Sequence, residues 1–140
     1  MSFGKKSYMK LPYAEGYFYP ATDMQKKTFS QKIARLGKLL RKEKLYFSTC
    51  ICCGNDAANF MFKYQEIEYV FIKASEFDEA SDSKVIKHPI FVSYNGEGEV
   101  VLKHLNSSGF SCVWDNSYDN PIVILPDFFD PFEYRNFKGE

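Results

Sequence analysis

Cys50-Ile51-Cys52-Cys53-Gly54 is the densest group of reactive side chains in the chain. Cys50 and Cys53 have the C-x2-C spacing at which two thiolates can face one zinc ion, and Gly54 permits the turn this requires. Zinc takes four ligands, and the second pair would have to come from His88, His104 and Cys112, which are isolated from one another. If residues 45–53 run as a strand, Cys50 and Cys53 also point to opposite faces and cannot chelate. Redox or nucleophilic chemistry needs a thiolate held by a cation or a helix terminus, and no thioredoxin-type helix pattern follows the cluster. The expectation is therefore small, buried, reduced thiols and no cofactor, with a zinc site on Cys50 and Cys53 as the alternative.

His88 and His104 are the two histidines. A pair of imidazoles can serve as acid and base in RNA cleavage, where protons move at two oxygens. His88 precedes Pro89 and His104 lies in an apolar stretch, placements that ordinary surface or strand-end histidines also take. No G-x-S-x-G, H-E-x-x-H, G-x-x-x-x-G-K-[ST] or G-x-G-x-x-G pattern occurs, so no residue is assigned a catalytic role.

Charge gives the stronger signal. The chain has 18 basic and 18 acidic side chains. They are segregated: residues 1–44 carry eleven Lys and Arg against three acids, and the remainder carries the opposite excess. Two candidate surfaces follow. Acids accompany aromatics at Trp114-Asp115, Tyr118-Asp119 and Asp127-Phe128-Phe129-Asp130, and acids cluster at Glu76, Asp78, Glu79 and Asp82. Aromatic anchors supply most interface energy and acidic charge speeds encounter with a basic protein, so this set is expected to hold a basic partner. Lys27, Arg35, Lys38, Arg41 and Lys42 form the second set, suited to phosphates.

The elements that position these residues follow from periodicity. Residues 1–21 are rich in aromatics and broken by Pro12, Gly16 and Pro20, which predicts an irregular segment. Thr22 with Gln25 matches a capping box, so one long helix is expected over 23–44. Phe29, Ile33, Leu36 and Leu40 form its apolar stripe, with the basic set opposite. Beyond it β-forming runs appear at 45–53 and 67–73, with residues 59–64 read as a strand or, in competition, a helical turn over 56–62. Residues 75–83 have too little to bury and are expected as an exposed acidic loop. Asn95-Gly96 predicts a hairpin joining 90–94 to 99–105, and a second hairpin is expected from 111–115 and 121–125. Residues 126–140 read as an irregular tail.

The sum is a single α+β domain over 1–140, with one long N-terminal helix packed on an antiparallel sheet of about five to seven strands arranged as a meander of hairpins. An apolar fraction of 45% is ample for a core. No apolar run approaches the roughly 18 residues of a membrane span, and residues 1–10 lack a signal-peptide pattern, so a cytoplasmic protein without a membrane partner is expected. Absence of a catalytic motif and an acidic aromatic surface together predict a protein-binding inhibitor of immunity or anti-defence type. Such a protein would mask a basic, toxin- or nuclease-like partner. A nucleic-acid-binding module is the alternative, and exposed aromatics would equally suit a homodimer interface.

Overall fold

The computed structural model describes residues 16–51 except Met24, 67–117 and 120–128. The elements among them are β1 (Tyr17–Tyr19), α1 (Phe29–Lys42), β2 (Tyr46–Ile51), β3 (Tyr69–Lys73), α2 (Ala74–Ser83), β4 (Ile90–Tyr94), α3 (Gly98–Ser108), β5 (Cys112–Trp114) and β6 (Ile122–Ile124). This is an α+β arrangement. The strands form one sheet in the order β1-β5-β6-β4-β3-β2, antiparallel throughout except for the parallel pair β2 and β3. The sheet is thus mixed, not the expected antiparallel meander. Residues 52–66, where a further strand or helical turn was expected, lie outside the described residues.

The helix expected over 23–44 is shorter. Asp23 Oδ1 accepts the Gln25 backbone N–H at 3.0 Å, and its other oxygen holds Lys27. An Asp that bonds the backbone two residues on favours a turn over a helix, so the chain does not enter the helix at Thr22. It enters at Thr28, whose Oγ1 accepts Gln31 N–H at 3.2 Å while Gln31 Oε1 accepts Thr28 N–H at 2.9 Å. That is the reciprocal capping box, six residues later than the first match in the sequence. Lys44 adopts left-handed φ of 64° and Leu45 N–H returns to Leu40 O, closing the helix. The apolar stripe behaves as its period requires: Phe29, Leu36 and Leu40 are buried and Ile33 packs beside them.

Two further helices stand where a loop and a strand were expected. Residues 74–83 form α2 because Phe77 and Ala80 supply a narrow inward stripe, with the Phe77 ring 5.6 Å from that of Phe29. One large apolar residue is enough when a neighbouring helix receives it. Residues 98–108 form α3 because Val101, Leu105 and Ser108 recur at i, i+4 and i+7 and all are buried. Asn95 makes no hairpin turn. Its Oδ1 accepts Tyr69 N–H at 2.7 Å and its Nδ2 donates to Ile67 O at 2.9 Å, pinning the start of β3 to the end of β4. The second expected hairpin is present as β5 and β6.

The three described helices contribute to one core on one sheet face, where Leu36, Leu40, Ala80, Val101 and Leu105 meet Val70, Ile72, Val92, Ile122 and Ile124. Tyr69, Phe71, Val113 and Val123 alternate with these and are buried too, so the central strands are apolar on both faces. No helix among the described residues is long and apolar enough to cross a membrane.

Candidate functional site

The structure sorts the candidate residues into three environments. The first is the turn after β5. Trp114 is only 2% exposed, set edge-on to Tyr94 at 6.2 Å between ring centres. Its ring lies so close to Gly98 that any Cβ there would collide with it, which makes the bare backbone at Gly98 a condition of its burial. Trp114 Nε1 donates to Ser117 O at 3.3 Å. Asp115 accepts Ser117 N–H at 2.9 Å and the Asn120 amide at 2.5 Å. The Tyr94 hydroxyl lies 3.1 Å from Ser117 O and 3.2 Å from Asn120 O, and Tyr19 donates to Asn116 Oδ1 at 2.7 Å. Trp114 therefore belongs to the core, and Asp115 is occupied in shaping a turn. Tyr118 and Asp119 lie outside the described residues.

The second environment is the outer side of α2. Asp78, Glu79 and Asp82 are all exposed there, at i, i+1 and i+4, and form a ridge along the helix. Glu76 departs from the group: it is half-buried and accepts Phe91 N–H at 3.2 Å, and loss of water raises its carboxyl above the ordinary range. Past the left-handed Lys84, Val85 is exposed. Ile86 and Asp127 then exchange two hydrogen bonds, at 3.0 and 2.9 Å. That clasp ties the segment carrying Phe128, 68% exposed, to the chain four residues beyond Asp82, where Lys84 and Lys87 are exposed as well. The exposed Phe128 and the exposed α2 acids both belong to the acidic and aromatic set expected from the sequence, whereas Trp114 and Asp115 of that set are occupied within the fold.

The third is the outer side of α1. Arg35, Lys38, Arg41 and Lys42 are all exposed, and none pairs with a described carboxylate. Lys27 lies before the helix and is tied to Asp23, whose carboxyl is lowered first by that side-chain hydrogen bond and then by the one from Gln25 N–H. Lys32 is turned away, 5.5 Å over the Phe110 ring.

Comparison with protein-family models, with curated proteins and with solved structures finds no match to this chain. The site must be read from its own geometry.

The histidines do not form a pair. His88 Nδ1 is 3.1 Å from Glu79 Oε2 at the surface, and His104 Nε2 is 2.8 Å from Glu43 Oε2, linking α3 to the end of α1. Each has its own carboxylate. Cys112 is fully buried, and burial raises its thiol far above the ordinary range, which keeps it protonated and unreactive. Cys50 falls in β2 and Cys53 lies outside the described residues. Among the described residues no three His, Cys, Asp or Glu side chains gather as a metal-holding group. Sequence reasoning missed Asn106, an amide buried on α3, because it read 99–105 as a strand ending just before it; helical period in residues 98–108 was the available signal.

Proposed function

We propose that the protein acts by binding, and that it masks a basic protein partner with the ridge Asp78, Glu79 and Asp82 and the exposed Phe128. The observation that carries this reading is the exposed Phe128 on a segment that the Ile86–Asp127 clasp ties to the chain four residues beyond Asp82. Interfaces gain most of their energy from a few desolvated aromatic anchors, while surrounding charge selects the partner and raises the encounter rate. The role is that of an inhibitor, stoichiometric and cytoplasmic, of immunity or anti-defence type. Trp114 and Asp115 leave the proposed surface, being occupied within the fold.

Tagged protein used to capture partners from the source cell tests this. A basic protein retained in equimolar amount, lost with the double substitution Asp78→Lys and Asp82→Lys and kept with Arg35→Glu and Lys38→Glu, is the expected result. Retention that ignores the Asp78 and Asp82 substitutions overturns the surface.

A second reading is favoured by the four exposed cations of α1, none of them in an ion pair with a described carboxylate. If Arg35, Lys38, Arg41 and Lys42 each meet a phosphate of duplex nucleic acid, the logarithm of affinity falls with the logarithm of salt at a slope of about −3 to −4. A salt-independent interaction removes that reading.

A further inference from the structure

The chain leaving β1 and the outer side of α3 enclose an open groove of about 490 Å³. That volume lies within the range of small-molecule sites, which combine an apolar body with a few placed polar groups. The groove has this composition. Tyr19 and the edges of the largely buried Leu102 and Trp114 line its apolar part, and Glu99, Lys103 and Asn106 supply the polar groups.

Asn106 is the informative residue. It is 8% exposed, and its Nδ2 donates to Tyr19 O at 3.1 Å and to Phe110 O at 2.8 Å. Both partners are carbonyl oxygens, so a flipped amide would set oxygen against oxygen, and the orientation is fixed. Its Oδ1 accepts nothing from the described residues. A buried acceptor of fixed direction without a donor needs one from outside the fold.

Glu99, Leu102, Lys103 and Asn106 stand at i, i+3, i+4 and i+7, one stripe of α3. Lys103 is therefore within one helical turn of Asn106, about 4.5 Å along the axis. A donor at Asn106 Oδ1 and an anion at Lys103 must then sit close together on the ligand. Glu99, on the next turn beyond Lys103, disfavours a ligand with net negative charge and so argues against phosphates. An ammonium and a carboxylate on a single carbon meet these conditions, with the side chain laid against Tyr19 and the exposed edges of Leu102 and Trp114.

From this juxtaposition we propose that the groove binds a free α-amino acid with an apolar side chain, its ammonium donating to Asn106 Oδ1 and its carboxylate facing Lys103. The site lies away from the acidic ridge of α2 and does not depend on it.

Trp114 is the only tryptophan in the chain, so its indole N–H gives one unambiguous NMR signal beside the groove. The ¹⁵N-labelled protein is titrated with L-phenylalanine and L-leucine, each also as its N-acetyl and methyl ester derivative. The expected result is a saturable shift of the indole signal with at least one of the free amino acids, weakened about tenfold or more by either derivative. Lys103→Ala, a change at an exposed position, is expected to weaken the free amino acid by about tenfold while leaving signals outside the groove in place. No saturable shift with either amino acid up to its solubility limit overturns the site. Equal binding of the free and derivatised forms, or an unaffected Lys103→Ala variant, overturns the assignment to a zwitterion.

Discussion

The turn after β5 and the outer side of α2 both carry carboxylates near aromatic residues, yet their carboxylates have different neighbours. Asp115 has backbone and amide donors at both oxygens, under a tryptophan that Gly98 makes room for. Asp78 and Asp82 are exposed on the helix surface. In the turn, charge organises the chain and its removal is a matter of folding; on the ridge, charge is available to a partner and its removal is a matter of recognition. Type and spacing alone could not separate these roles, because the difference lies in what the sheet brings against each residue.

The comparison can be broken most forcefully at Trp114. Trp114→Ala removes the largest ring of the helix-side core and the donor to Ser117, and is expected to cost about 3–5 kcal/mol in urea unfolding. A loss near that of a surface residue would return Trp114 to the list of anchors. Asp115→Ala is expected next, at about 1–3 kcal/mol, because two donors lose their acceptor, while Asp82→Ala stays within about 0.5 kcal/mol. Equal effects at the two aspartates would erase the distinction. Thr28→Ala is expected to cost about 1 kcal/mol and Thr22→Ala nearly nothing, measured by the same unfolding curves.

The smallest effect separates Glu76 from its neighbours on α2. Its carboxyl is raised in the folded protein by burial, so the folded state takes up its proton at a higher pH than the unfolded chain does, and ionisation opposes folding. Glu76→Gln keeps an acceptor for Phe91 N–H and is expected to be slightly stabilising. That advantage is full above the raised pKa, shrinks as pH falls through it, and is gone below the unfolded value. Unfolding followed against pH in both proteins checks it, and a difference that grows towards acid would reverse the assigned cause.

α1 was the most legible element, since Phe29, Ile33, Leu36 and Leu40 hold one period over three turns. Its start was not, because two capping-box patterns follow each other at 22–25 and 28–31 and the first is defeated by the bond that Asp23 accepts from Gln25 N–H, which the pattern does not show. α2 was hidden because its inward face is Phe77 and small residues, too little to register without Phe29 beside it. α3 was misread because Val100-Val101-Leu102 after Asn95-Gly96 resembles a hairpin arm, and β-branched residues outweighed the helical period. Of the candidate site, the exposure of the α2 acids and the α1 cations was legible from their charge, whereas the clasp that presents Phe128 joins residues 41 positions apart.

The pairing of β1 with β5 sets an order of assembly. Tyr19 meets Asn116 across 97 positions, and every residue of β1 pairs with β5. During synthesis at about 5–20 residues per second, β1 therefore emerges first and waits several seconds for its partner. High separation of contacting residues slows folding, so β1 is expected to dock late, once β5 is in place to receive it. The amide of Asn106, which holds Tyr19 by its carbonyl oxygen, is then a latch on a strand that arrives late.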